Sequence, residues 1–220
     1  KETFGRVPAS PKGMKAEVVE AQSVPQVLLK KKPVDQTHIM LGCRAFSAFD
    51  GRRFALEVLA DVLGGGMSSR LFQKVREELG AAYTVRAGTD LFTDHGYVAV
   101  NAGVDQAKLY AVIAAILEEM KKLKDDLVPE NELRRAKNHL VGRIILGLEA
   151  SDELASFYGA QEVAGEPLMS PEELVVKLEA VTADEVRDVA RAVFVEEGLN
   201  MAVIGPIADD HELKAALRFA

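Results

Sequence analysis

Apolar positions along the chain change period several times, and each change marks an element. In Thr37–Phe46, THIMLGCRAF, the residues Ile39, Leu41 and Cys43 fall on one side of a period-two pattern, as in a half-buried strand. An earlier strand is predicted over Gln26–Lys31, with a turn at Pro33–Gln36. DGRRFALEVLADVLGGG has apolar residues at 54, 55, 58, 59, 62 and 63, spaced for one face of a helix. Glycine ends it. Ser68 or Ser69 is placed to cap a second helix, with Leu71, Phe72, Val75 and Leu79 as its apolar stripe and Gly80 as its stop.

The period then returns to two. YTVRAGT and GYVAVNAG flank DLFTDH, which predicts a hairpin. Asp105 opens a long helix through Leu109, Val112, Ile113, Ile116, Leu117, Met120 and Leu123. Pro129 suits the first turn of the next helix, whose face includes Leu133, Leu140, Val141, Ile144 and Leu148. Helical spacing resumes through Leu154, Phe157 and Tyr158 up to Gly165. Two capping boxes follow, from Ser170 to Glu173 and from Thr182 to Glu185, each opening a short helix. LNMAVIGP closes the pattern as an apolar strand.

This order predicts one α+β domain over residues 25–220, a mostly antiparallel sheet with helices packed on one face. Residues 1–24 hold two of the eight prolines and little periodicity, so they read as an extended linker. The first residues lack both an apolar signal region and an initiator Met, which implies a piece of something longer. No internal repeat is visible.

Composition narrows the function. Of 220 residues 48% are hydrophobic, enough for a full core. The 27 basic residues against 34 acidic leave a net charge of −7, which argues against a nucleic-acid partner. The apolar run Ala111–Leu117 is seven residues long, far short of a membrane span. Cys43 is alone, so neither an intrachain disulfide nor a thiolate cage is available, and it reads as a small buried hydrophobe.

Metal chemistry should show first in the histidines. His38, His95, His139 and His211 are never closer in sequence than 44 residues (139 − 95). No helical i, i+4 pair of ligands exists. Each has an ordinary place: His38 opposite Ile39 on a strand, His95 in the hairpin turn, His139 off an apolar stripe, His211 in a polar tail. GGGMSS lacks the Gly-Lys-Ser/Thr ending of a phosphate loop, and no Gly-x-Ser-x-Gly elbow occurs. Glu57 and Asp61 read as a solvated helix face rather than a catalytic pair. Arg76 and Tyr83 stand seven residues apart across the Gly80 stop. By themselves they read as a solvated cation on a helix edge and a core Tyr at a strand start. They are also a permanent cation and a phenolic donor, suited to a peptide carbonyl and the oxyanion formed from it.

Three phrases in order decide between these. GGGMSSRLFQKVREELGAAYTV, ELRRAKNHLVGRIILGLE and the VTADEV…LNMAVIGP ending resemble the C-terminal half of the pitrilysin/insulinase family of zinc metallopeptidases, that of the mitochondrial processing peptidase. The resemblance runs from about Gln26 to Pro206. It implies two similar halves closing like a clamshell. The N-terminal half carries His-x-x-Glu-His and a later Glu ligand, while the metal-free half contributes an Arg and a Tyr that map onto Arg76 and Tyr83. Where the zinc motif would stand, this chain has FALEV, with Phe54 and Val58 in the His frames and Glu57 retained.

The resemblance therefore implies no metal in this chain and zinc in a partner half, fused upstream or a separate subunit. It implies a peptide substrate, inactivity of the chain alone, and a chamber loop formed by Gly64, Gly65 and Gly66. A half-enzyme exposes the surface its partner covers, so self-association of the isolated chain is expected. The rival reading is a catalytically silent scaffold or binding subunit of the same fold.

Overall fold

In the computed structural model, which describes residue 16 and residues 18–219, a five-stranded sheet carries the molecule. Its strands are β1 (Gln26–Lys31), β2 (Thr37–Ala45), β3 (Ala82–Leu91), β4 (Gly96–Val104) and β5 (Leu199–Gly205), in the order β1-β5-β2-β4-β3. All pairings are antiparallel except β1 with β5. The linker predicted over residues 1–24 lies largely outside the described residues.

The period-two reading of β2 holds: Ile39, Leu41 and Cys43 are buried, while His38, Met40 and Arg44 are exposed on the other face. Burial pushes the Cys43 thiol up to about 12, so it is an inert hydrophobe.

Helices cover the buried face. Helix α1 (Arg53–Gly64) packs on β3 and β4, α2 (Leu109–Asp125) on β4, and α6 (Ala183–Val193) on β2 and both of those helices. Around them stand α3 (Glu130–Gly147), α4 (Ser151–Ala164), α5 (Pro171–Ala180) and α7 (His211–Ala216). Leu56, Leu59, Leu63, Ile113, Ile116, Met120 and Phe194 are among the fully buried side chains of the core between sheet and helices. This is the expected α+β arrangement.

Both capping boxes form. The Ser170 and Thr182 hydroxyls accept from the amides of Glu173 and Glu185, whose carboxylates accept in return from the Ser170 and Thr182 amides. Asp105 accepts from Ala107 N at 2.9 Å, capping a 3-10 turn, Gln106–Lys108, that leads into α2. Gly165, at φ 73°, ends α4 in the left-handed region that glycine enters without a Cβ penalty.

Three expectations need correction. His211 does not lie in a tail but opens α7, whose Leu213 is buried. The helix expected after Ser68 or Ser69 is not a capped α-helix. Ser69 donates back to the Gly66 carbonyl, and after Arg70 and Leu71 the chain forms a π-helical stretch, Phe72–Glu78. In α3 only Leu133 and Ala136 are buried: Leu140 and Ile144 are half-buried against the core, and Ile145 and Leu146 are exposed.

Candidate functional site

The segment from Gly64 to Thr84 is irregular at three points, and each has a local cause. Gly64 is buried at the end of α1, where a Cβ would collide with the backbone nitrogen of Ala87 on β3. Gly65 donates its N–H to Asp61 O at 2.9 Å, and a Cβ there would strike the Asp61 carboxylate. Gly66 faces the His139 ring, 3.5 Å from where its Cβ would stand. None of the three adopts a positive φ. Gly64 is the one that lets α1 end tight against β3, a close approach that a side chain would block.

The π-helical stretch follows, with Leu79 N donating to Lys74 O at 3.1 Å, an i to i+5 bond. Such widened turns are rare and concentrate at functional sites. Leu71 and Val75 anchor it in the core, whereas Arg76 is exposed, its guanidinium 5.0 Å from the Phe72 ring centroid. Stacking on an aromatic face restrains the cation without neutralising it. Gly80 then turns the chain at φ 52°.

The third irregularity decides where Tyr83 goes. Ala82 pairs with Val104 and Thr84 with Gly103, so Tyr83 is an extra residue bulged out of the β3–β4 ladder. Val85 is buried, and in a regular strand Tyr83, two residues before it, would share that buried side. The bulge breaks the alternation: Tyr83 and Thr84 are exposed in succession, and Tyr83 is 67% exposed. Bulges beside functional sites often re-aim a side chain in this way. The reading of Tyr83 as core packing is thus overturned, and Arg76 and Tyr83 stand exposed at the two ends of one short turn.

In the zinc-motif frame of α1, Val58 is fully buried and Phe54 is half-buried under the Arg53 guanidinium. Among the described residues, no group of three or more His, Cys, Asp or Glu side chains could hold a metal ion. Glu57 and Asp61 are not a solvated face, because α3 and α5 close over them. They line a cavity of about 350 Å³ with Thr89, Arg143, Ile144 and Leu178. Burial holds both carboxyls above the ordinary carboxylate range; for Asp61 the bond from His139 Nδ1, at 2.7 Å, works against that shift. This contact joins residues 78 apart in sequence, and no local pattern signalled it.

Comparison with known proteins follows the same lines. The family model described as the peptidase M16 inactive domain matches residues 1–140. An uncharacterized zinc protease of Streptomyces coelicolor is 36% identical over 184 residues, covering 84% of this chain and 40% of that protein. The uncharacterized zinc protease YmxG of Bacillus subtilis is 34% identical over 81% of this chain and 44% of its own length. The chain therefore spans less than half the length of these curated relatives.

Among solved structures, a peptidase M16 inactive domain from Pseudomonas fluorescens superposes with a TM-score of 0.78 at 21% identity, over 90% of this chain and 48% of that one. A protease from Helicobacter pylori gives 0.79 at 18%, over 93% and 50%.

Proposed function

The chain belongs to the M16 peptidase family, matching its inactive domain, and we propose that it is the non-zinc half of a metalloendopeptidase acting on peptides or unfolded segments. In this reading Arg76 and Tyr83 hold the scissile carbonyl and stabilise the oxyanion that develops on it. The other half would hold the zinc, which would supply Lewis-acid activation of the attacking water.

The observation that carries the reading is the bulge at Tyr83. A core Tyr needs no bulge, and the bulge leaves an exposed phenol across a glycine turn from an exposed Arg, an arrangement for which a scaffold has no use. Arg76 is charged at any working pH and donates from a planar fork, while the phenol adds one directed O–H. Gly64 serves this site indirectly, by bringing α1 to its end against β3 so that the next segment starts from a fixed point.

The partner in this reading is a zinc-bearing homologous half, fused or separate. Exposed Ile145, Leu146 and Val163 on α3 and α4 support a surface that such a partner covers. Without it, the isolated chain is expected to self-associate; a strict monomer over a wide concentration range in ultracentrifugation counts against that.

The decisive test is Tyr83→Phe in the complete protein, with an internally quenched peptide as substrate. Deletion of one oxyanion donor is expected to lower turnover roughly 10²–10³-fold, about 3–4 kcal/mol on the barrier. The exposed ring stays, so thermal unfolding should not move. Arg76→Ala is expected to lower turnover and raise KM together, and Arg76→Lys to restore little. Normal turnover in stable Tyr83→Phe and Arg76→Ala proteins would sink the reading and favour the silent scaffold.

A further inference from the structure

Between Arg76 and Tyr83 the backbone is held on either side of Gly80, by Leu79 N donating to Lys74 O and by Ala81 N donating to Val75 O. The π-helical stretch ends at Glu78, Leu79 and Gly80 are exposed, and Gly80 sits in the left-handed region without a side chain to hold it. The relative position of the two side chains depends on that turn. A glycine hinge of this kind normally samples many conformations.

One side chain from another element reaches it. Lys108, last residue of the 3-10 turn before α2, donates from Nζ to Leu79 O and Gly80 O, both at 3.0 Å. Among the described residues no carboxylate pairs with this ammonium. The two carbonyls lie just past the end of the π-helical stretch, where carbonyls lack helical partners and the dipole favours a cation.

The lysine itself starts from a fixed base. Its neighbour Leu109 is buried at the start of α2, and Asp105 is joined both to Ala107 by its cap and to Ala81 O through its own N–H, at 3.4 Å. Water could satisfy both exposed carbonyls about as well, so the net stabilisation is small. What water cannot do is tie the turn to α2.

We propose that Lys108 is a positioning residue, which clamps the Leu79–Gly80 turn to the start of α2 and so holds the spacing of Arg76 and Tyr83. The assignment of a substrate to those two residues rests on the function proposed above; the clamp does not.

The test compares wild-type, Lys108→Met and Lys108→Arg complete proteins by hydrogen–deuterium exchange and by peptide hydrolysis. Lys108→Met is expected to raise exchange in peptides covering residues 78–84 roughly tenfold or more, as a locally opened turn does, with the melting temperature nearly unchanged. Turnover should fall by about tenfold or more with KM little altered, since sub-ångström misplacement acts on the chemical step. Lys108→Arg, which keeps a cation of similar reach, should recover most of both.

Combining Lys108→Met with Tyr83→Phe should slow turnover little beyond Tyr83→Phe alone. Unchanged exchange in residues 78–84 overturns the clamp, even where Tyr83→Phe slows hydrolysis. Raised exchange with unchanged turnover in Lys108→Met, in a protein that Tyr83→Phe disables, overturns the positioning role. Raised exchange with normal turnover in Tyr83→Phe and Arg76→Ala upholds the clamp and overturns the site reading instead.

Discussion

Helix α1 and the stretch from Phe72 to Thr84 follow one another closely in the chain, and both α1 and the π-helical part of that stretch contact β3. They are built in opposite ways. Nine of the twelve residues of α1 are buried, whereas Val75 alone is buried in the π-helical stretch. A helix enclosed by a sheet and four other helices can keep regular hydrogen bonds, because every side chain it buries stabilises that one geometry. The next segment contacts the core on one side only. There a widened turn, a left-handed glycine and a bulge cost little packing, and together they direct two polar side chains outward. The zinc-motif frame lies on the helix that packing has claimed, and the candidate chemistry lies where the packing stops.

The comparison can be broken most sharply at the core. Leu59→Ala in α1 is expected to cost about 2–5 kcal/mol in denaturant unfolding, while Leu79→Ala, at a partly exposed site, should cost well under 1 kcal/mol. Similar losses from both would show that the irregular segment is as tightly packed as α1. Phe54→His with Val58→His, which rebuilds the metal motif, should yield a destabilised protein without stoichiometric zinc. Position 58 is closed to solvent, and an imidazole there is buried without a partner. Metal analysis finding one tight zinc would refute this.

A smaller effect sharpens the second half of the comparison. Gly80→Ala places a Cβ on a residue at φ 52° and should cost about 1–2 kcal/mol, with Gly80→Asn intermediate. Equal stability of all three, by thermal melts, would mean that the turn relaxes freely.

The smallest effect is in pH dependence, and it belongs to the cavity beside α1. Glu57 and Asp61 keep their protons to higher pH in the folded chain than in the unfolded one, whose values lie near 4.5 and 3.8. The native state binds more protons in that window. Their contribution to stability is therefore full at low pH and falls as pH rises through the folded values. Glu57→Gln removes one such buried charge. It should gain stability relative to wild type at pH 7.5 and much less at pH 4.5, read as denaturation midpoints; the opposite trend would mean that Arg53 and Arg143 outweigh burial.

How much of this was legible beforehand follows from the range of each signal. The β2 alternation, the hairpin, both capping boxes and the α1 stripe depend on neighbours within a turn or two, and the periods of two and 3.6 report them directly. Arg76 and Tyr83 could be singled out as a pair, because the glycine stop and the family-like phrase around them are contiguous. Their setting could not be read. Tyr83 lies two residues before Val85, so alternation alone assigns it to the core.

The amino-acid sequence by itself determined the α+β class, the order of elements as far as β5, the lack of closely spaced histidines and the two residues worth testing. The tertiary structure alone decided four other things. It made β1 parallel to β5, nearly the whole chain apart in sequence. It turned Tyr83 outward, because a bulge is a mismatch in count between two strands and exists in neither of them alone. It also closed α3 and α5 over Glu57 and Asp61, and brought Lys108 to the carbonyls of Leu79 and Gly80. Periodicity records which side of an element faces the core. It carries no information about which distant element arrives there, and both the buried carboxylates and the clamp on the candidate site depend on such arrivals.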